Sequence, residues 1–482
     1  MRGLKLIIAL LSWLFFLPLS GQDLWNKVII TGSEDQAYST AASDFDNSVV
    51  VAGMVSSNEA YPSPIRPYSG GASDGFVAKY DDTGNLLWAT YIGTDKEDAC
   101  GDVVVDEMGN IYITGYVEDF SILEEPDLTG DGSGFGNMND AFVCKLSPTG
   151  VIQWFEIFGG IQEDSGVKLS YFRGKVYMVM NSKFSGVLID GSSPTGSVAL
   201  GNHRHYILMA IDAETGSRDW FWFIGSEAND YASGKFLYPQ QQMNRIDLEV
   251  DGSGIYVGAI LFGQDAHMSS NEGVVVSEPN ISVDTASDPF IIKFDHKGQH
   301  LFTVPFTNSL NDHFYLKIAL DCDRVYATVN TDYASFGSDY DIWLFSMAKS
   351  DGTVQFNEQY STNFFSSDDA IIYDLESEGK GRLLAVGTMR QTLSYTQTSG
   401  FSGSISSSGY NFFLLNIRAS DGRIISSHEG GGTGDDAYHG ISVSDNSTVS
   451  VVGLGRQGDE ITGANTGNLG SLNSSTNILI RA

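Results

Sequence analysis

The chain has 482 residues, with 27 Lys and Arg against 60 Asp and Glu, a formal net charge of −33. Such a surface repels phosphate backbones, which excludes nucleic acid as an expected partner and is compatible with solubility outside the cell. The length suits two or three ordinary domains or one large repeat structure, so the choice falls to the internal pattern.

The N-terminal residues place Arg2 and Lys5 ahead of an apolar stretch from Leu6 to Leu17, then Pro18 and the small pair Ser20-Gly21. That order reads as a secretory signal peptide over residues 1–21, cut before Gln22 or Asp23. The apolar stretch is short for a bilayer span, and no later run reaches spanning length, so no transmembrane segment is expected in the mature chain. No Cys follows Leu19-Ser20-Gly21, so no lipid anchor is expected either. The three cysteines lack the close spacing of metal or redox motifs. Cys100 and Cys144 fall on the first and third strands of one repeat unit, roughly 9–10 Å apart. That separation is too long for a bridge, and with Cys322 isolated in a turn all three read as free thiols.

One phrase recurs at intervals of roughly 60–80 residues. In its clearest copy, Glu97-Asp98-Ala99 leads through Val103-Val104-Val105 to the turn Asp106 to Asn110. A second strand, Ile111-Tyr112-Ile113-Thr114-Gly115, is followed by a long Gly-, Ser- and Asp-rich loop. A third, Asp140 to Leu146, turns through Ser147-Pro148-Thr149-Gly150 into a fourth, Val151 to Phe158, which carries Trp154. Four short strands rich in β-branched and aromatic residues, separated by turn residues, make one antiparallel sheet.

Six complete units can be placed by these landmarks, with Trp88 and Trp220 at the place of Trp154. A seventh starts at Asp435-Asp436-Ala437 and stops after its third strand, Asn477 to Arg481, while Leu24 to Gly32 is a fourth strand without its first three. Joining these ends predicts an all-β fold: a seven-bladed β-propeller of four-stranded antiparallel blades, closed by the N-terminal strand joining the C-terminal blade. Closure removes the exposed sheet edges. The expected single domain covers 22–482, with a closing strand at 22–33. Its blades lie at about 34–94, 95–160, 161–226, 227–309, 310–362, 363–432 and 433–482.

The recurring Glu-Asp-Ala, Gly-Asn-Ile-Tyr-Ile-Thr-Gly, Asp-Ala-Phe-Val-x-Lys and Thr-Gly-x-x-x-Trp resemble the SBBP-type β-propeller repeat of bacterial exported proteins. The resemblance extends over essentially all of the mature chain, most closely in the first two units and least between Asn308 and Thr362. It implies a propeller in an envelope or extracellular setting and no shared catalytic activity. The chain ends inside the propeller with no apparent C-terminal sorting domain, which favours a periplasmic or outer-membrane-associated location over release to the medium.

All the long loops fall on the face that also carries the links between blades: Ser56 to Ala72, Glu118 to Asn139, Lys183 to Arg204, Gln264 to Ser287, Gln391 to Gly409 and Arg456 to Ser475. A binding surface is expected there. An acidic residue recurs where each unit enters its innermost strand, at Asp35, Asp98, Asp164, Asp230, Asp312, Asp369 and Asp436. These are read as a ring around the axis, each capping backbone N–H groups of its own turn. The sharper alternative is a negative funnel for a cation or a basic partner segment. Asp127, Thr129, Asp131 and Ser133 alternate like the start of a calcium loop, with Asp140 standing in for the missing carboxylate at the end. Calcium is the one metal this pattern suggests, and no other cofactor is expected.

Ala210 to Trp220 resembles the docking motif of quinoprotein propellers, in which the Trp packs one blade on the next and carries no catalysis. The adjacent Cys pair of those enzymes does not occur here. Neither a zinc-protease spacing among the eight histidines, nor a nucleophile elbow, nor a phosphate loop is present. Three functions remain. The favoured one is a non-catalytic scaffold or binding module contacting another envelope or secreted protein, as part of an export, adhesion or motility assembly. The second is a glycan-binding propeller, suggested by Tyr61, Tyr68, Tyr395 and Tyr410 in or beside the long loops. The third is a hydrolase or lyase, which axial carboxylates of raised pKa would favour.

Overall fold

The computed structural model describes residues 26–29, 35–118, 139–159, 163–183, 204–226, 245–262, 266–270, 275–278, 287–306, 312–332, 340–360, 370–396, 402–430, 437–455 and 477–481, apart from 59 and 446. The signal segment lies outside these residues. What is described is an all-β propeller built from four-stranded antiparallel blades.

The strands fall into seven sheets, numbered here in chain order. Sheet 1 is Gln36–Ser43, Ser48–Val55, Asp74–Tyr80 and Leu86–Ile92; sheet 2 is Ala99–Val105, Ile111–Glu118, Asn139–Leu146 and Ile152–Phe158. Sheets 3 to 6 begin with Asp164–Phe172, Ile246–Asp251, Asp312–Leu320 and Ala370–Ser377. Sheet 7 runs Ala437–Val443, Val449–Gly455, Asn477–Arg481, and takes Asn26–Ile29 as its outer strand. The N-terminal strand pairs antiparallel with the C-terminal one, Asn26 opposite Arg481 and Ile29 opposite Ile478. First strands pack against each other in succession, and that of sheet 7 packs against that of sheet 1.

The recurring phrase is explained by how neighbouring sheets dock. Trp154 Nε1 of sheet 2 donates to Ala213 O, in the turn before the fourth strand of sheet 3, at 3.2 Å. Lys145 Nζ and Tyr112 Oη, from the third and second strands of sheet 2, reach the same oxygen at 3.0 and 3.4 Å. In sheet 1, Trp88 Nε1 and Lys79 Nζ converge likewise on Pro148 O of sheet 2, at 3.1 and 3.4 Å. In sheet 4, Lys293 Nζ and Tyr256 Oη meet at Lys349 O of sheet 5.

The glycine of this turn in sheets 2, 3 and 4 has a left-handed backbone, φ 82° at Gly150, 75° at Gly216 and 81° at Gly298. A Cβ there would press on Trp88, Trp154 and Trp220 respectively. The Thr-Gly of one unit is therefore shaped by the Trp of the unit before it.

A second glycine is required at the inner edge. Six of the first strands carry a bulge, as between Cys100 and Asp102, and in four of them a second-strand glycine, Gly53, Gly115, Gly387 or Gly453, lies opposite. A Cβ on Gly115 would fall 2.0 Å from Ala99 O, and one on Gly53 2.0 Å from Gln36 O. The bulge re-aims the next side chain of the first strand.

Three expectations are corrected. Residues Gln264 to Ser287 are not merely a loop: Ala266–Ser270 and Val275–Glu278 form a hairpin that pairs with Arg218–Ser226, extending sheet 3 to six strands. The open outer edge of sheet 3 offers unpaired backbone groups that this hairpin satisfies. The segment Gln391 to Gly409 is largely strand as well, because Arg382–Thr396 and Ser402–Arg418 continue as one long hairpin. Tyr61 is buried, packed on Phe76 and Tyr91, as the loop from Ser56 folds back onto the outer strand of sheet 1. Ile65 N donates to Ala89 O, and Tyr91 N to Arg66 O. Tyr61 is thus unavailable to a glycan, Tyr68 packs edge-on against Tyr91, and the side chains of Tyr395 and Tyr410 lie outside the described residues.

Candidate functional site

The pairing registers align one position of every first strand: Ser39, Asp102, Lys168, Asp247, Lys317, Asp374 and Gly440, opposite Ala52, Thr114, Val179, Gly258, Thr328, Val386 and Val452. Five consecutive sheets therefore present alternating charge, acid-base-acid-base-acid, and a serine and a glycine complete the set. The groups converge across the molecule, since Lys168 of sheet 3 responds to Asp374 of sheet 6 as well as to its neighbours Asp102 and Asp247.

Each acid braces the next sheet. Asp102 Oδ2 accepts from Leu169 N, Asp247 Oδ2 from Ile318 N and Asp374 Oδ2 from Ile441 N, at 2.8, 2.8 and 2.9 Å. Ser39 Oγ donates to Asp102 Oδ1 at 2.6 Å. Lys168 Nζ stands 3.8 Å from Asp102 Oδ1 and 3.6 Å from Asp247 Oδ1, bridging sheets 2 and 4. Burial opposes the charge on Lys168, but the surrounding carboxylates outweigh it and hold the ammonium well above its ordinary pKa. Lys317 is pulled down, because its burial exceeds what Asp247 and Asp374 return.

Two residues further along the same strand faces stand Glu249 and Glu376. Burial, then the neighbouring carboxylates, push Glu249 well above the carboxylate range and Glu376 up to about 8. Asp374 is also raised, by burial, against the pull of Lys168 and Lys317. Glu376 is therefore largely protonated at neutral pH and adds no further negative charge to the layer. On the other side of the charged layer runs an aromatic arc: Tyr315 meets Tyr373 edge-on, Tyr373 meets His439 at 5.2 Å, and His439 faces Tyr38. Burial pushes His439 down to about 4, so it is neutral under ordinary conditions.

The recurring acidic residues are not this axial set. Asp35, Asp98 and Asp164 are buried at the junctions between sheets. Asp98 accepts from Thr94 N of the inter-sheet turn at 2.5 Å and from Glu118 N at 2.8 Å, and Asp35 accepts from Ser56 N at 2.7 Å. Asp230, Asp369 and Asp436 lie outside the described residues, as does the side chain of Asp312. Asp127, Thr129, Asp131 and Ser133 also lie outside them, while Asp140 is buried at the start of its strand. Among the described residues no group of three or more His, Cys, Asp or Glu could hold a metal ion. Cys100 and Cys144 are buried free thiols, and Cys322 is an exposed one.

The recurring acid of the sequence does not itself mark the axial set. The signal lay four or five residues later, where Asp102 follows Asp98, Lys168 follows Asp164, Lys317 follows Asp312 and Asp374 follows Asp369.

Over 237 residues the chain is 26% identical to the regulatory protein FlaEY of Caulobacter vibrioides, a match covering 49% of this chain and 22% of that one. It is 24% identical over 201 residues to the uncharacterized WD repeat-containing protein L264 of Acanthamoeba polyphaga mimivirus, covering 36% and 14%. The chain thus spans less than a quarter of the length of either relative. Among solved structures, the quinohemoprotein alcohol dehydrogenase of Comamonas testosteroni aligns with 95% of this chain and 76% of its own, at 10% identity and a TM-score of 0.40. Residues 87–116, from just before the docking Trp88 into the second strand of sheet 2, match the family model described as the SBBP beta-propeller repeat. The chain is a β-propeller that carries the SBBP repeat.

Proposed function

We propose that the protein is an exported, non-catalytic propeller whose loop-bearing face binds another protein of the bacterial cell envelope, as a scaffold or subunit of an export, adhesion or motility assembly. In this reading all seven sheets are blades of one ring, and the location is periplasmic, outer-membrane-associated or secreted. One observation carries it. The axial aspartates Asp102, Asp247 and Asp374 are committed to holding sheets together, each through a backbone N–H of the next sheet. Recognition then falls to the loop face, which varies from sheet to sheet. The partial likeness to a protein named as regulatory agrees with a role exerted through a partner.

The test is affinity capture of the tagged full-length chain from native envelopes, with quantitative mass spectrometry, beside a variant lacking the 391–409 hairpin tip. The reading expects a defined partner that the variant loses. Enrichment identical for both chains, or none over a tag control, would remove it.

A second reading, an axial hydrolase or lyase, draws on one specific feature, the Glu249 and Glu376 carboxyls that burial raises above the carboxylate range, near Asp374. An uncharged acid next to a carboxylate is the arrangement a glycosidic bond requires. Turnover of a polysaccharide by the native chain, abolished in Glu249→Gln and Glu376→Gln, would establish this reading in place of the first.

A further inference from the structure

At the junction of sheets 1 and 2 two buried carboxyl groups face one point. A Cβ placed on Gly93 would lie 2.9 Å from Asp74 Oδ1 and 2.9 Å from Asp98 Oδ2. Both residues are fully buried, and among the described residues neither forms an ion pair. Asp98 is well supplied with donors, from Thr94 N, Thr94 Oγ1 and Glu118 N. Asp74 Oδ2 accepts from Ser69 N at 2.6 Å, but its Oδ1 has no hydrogen-bond partner. The groups that act on them from the surrounding elements are Tyr68 of the loop, Tyr91 of the fourth strand, Cys100 and Tyr116 of sheet 2, and the acids Asp35 and Glu97. None of these is a cation, and Lys96 of the inter-sheet turn directs its ammonium to Asp95 instead. Two adjacent buried negative charges with no counter-charge are untenable in low dielectric, so one must be neutralised.

The chain supplies its own substitution series at this place. By register, Asp74 corresponds to Asp140, His205, Asp288, Asp341, Asn411 and Asn477, at or next to the start of the third strand except for Asn411, which lies within the long strand Ser402–Arg418. Where Asn stands, the side chain has the shape of a carboxylic acid and can donate a hydrogen bond; a position that takes either residue suits the neutral, donating form.

We propose that Asp74 and Asp98 share one proton in mildly acidic solution, with Asp74 Oδ1 carrying it toward the Asp98 carboxylate, so that the junction of sheets 1 and 2 is a proton-linked clasp. The clasp ties three parts of the loop-bearing face together: the loop ending at Ser69, the inter-sheet turn at Thr94, and the end of the second strand of sheet 2 at Glu118. Ser69 Oγ also donates to Gly93 O, closing the loop over the pair. Burial raises Asp74 to about 6 and Asp98 to about 7, Asp74 adding its repulsion to the latter. The folded values lie above the ordinary 3.8, so the clasp contributes fully in acid and is lost as pH rises through about 6–7.

The experiment compares the full chain with Asp74→Asn, following Tm and amide exchange of the segments containing Ser69 and Thr94 from about pH 5 to about pH 8. The native chain should lose Tm and protection as pH rises, while Asp74→Asn, which donates permanently, should lose several degrees less between those limits. Equal losses in both chains would overturn the proposal. Should the variant fail to fold, carboxyl carbon NMR of the native chain decides: two carboxyls titrating above pH 5.5 support the clasp, and full ionisation of both by pH 5 refutes it.

Discussion

Trp154 and Ala213 lie in adjacent sheets, and the indole N–H of the first donates to the carbonyl oxygen of the second at 3.2 Å. Lys145 and Tyr112 close on that same oxygen, so one backbone acceptor gathers donors from three strands. The latch should be dominated by the ring rather than by the N–H. Trp154→Ala should cost about 3–5 kcal/mol. Trp154→Phe, which keeps most of the apolar contact, should cost about 1 kcal/mol for the hydrogen bond beyond any loss of packing. Urea denaturation of the two variants measures the difference, and equal costs would contradict the assignment.

The turn glycine on the other side of that contact is the second test. Gly216 has φ 75°, and a Cβ there would stand 3.1 Å from the Trp154 ring. Gly216→Ala should therefore destabilise by about 1–2 kcal/mol from backbone strain alone. Gly174, also left-handed at φ 81° but with nothing within 4 Å of its Cβ position, isolates the strain term. Gly216→Ala should exceed Gly174→Ala in a thermal melt.

Removal of Lys168 leaves Asp102 and Asp247 buried without the cation between them. Lys168→Met should lower stability by about 3–5 kcal/mol at neutral pH, because an uncompensated buried charge costs more than the pair contributes. A denaturation midpoint unaffected by this change would show that the layer is not an ion-pair circuit.

Glu376 predicts a pH dependence with a defined sign. Its folded value of about 8 exceeds the ordinary 4.5, so its contribution is complete below about pH 4.5 and declines as pH rises through about 8. Glu376→Gln should flatten that decline and leave the acid side unchanged. Melting curves at intervals across this range read the effect, and parallel profiles would count against a protonated Glu376.

Much of the fold was legible because a repeat writes each contact several times. The spacing of Ile111 to Gly115, Asp140 to Lys145, Thr149-Gly150 and Trp154 marked four strands and their turns, and the unmatched ends pointed to the pairing of Asn26–Ile29 with Asn477–Arg481. The hairpin at Ala266–Ser270 was not legible, since its partner, Arg218–Ser226, belongs to the preceding sheet and lies some forty residues back. The burial of Tyr61 was hidden for a similar reason: a loop rich in Pro and Ser gives no sign that it will fold onto the strand edge at Ala89 and Tyr91.

Local pattern alone determined where strands begin and end, because β-propensity and turn chemistry act over a few residues and recur with the unit. Only the tertiary structure decided which charges meet. Asp102, Lys168, Asp247, Lys317 and Asp374 come from five different sheets. Their alternation has meaning only after the strands converge and exclude water, where each charge requires its neighbour.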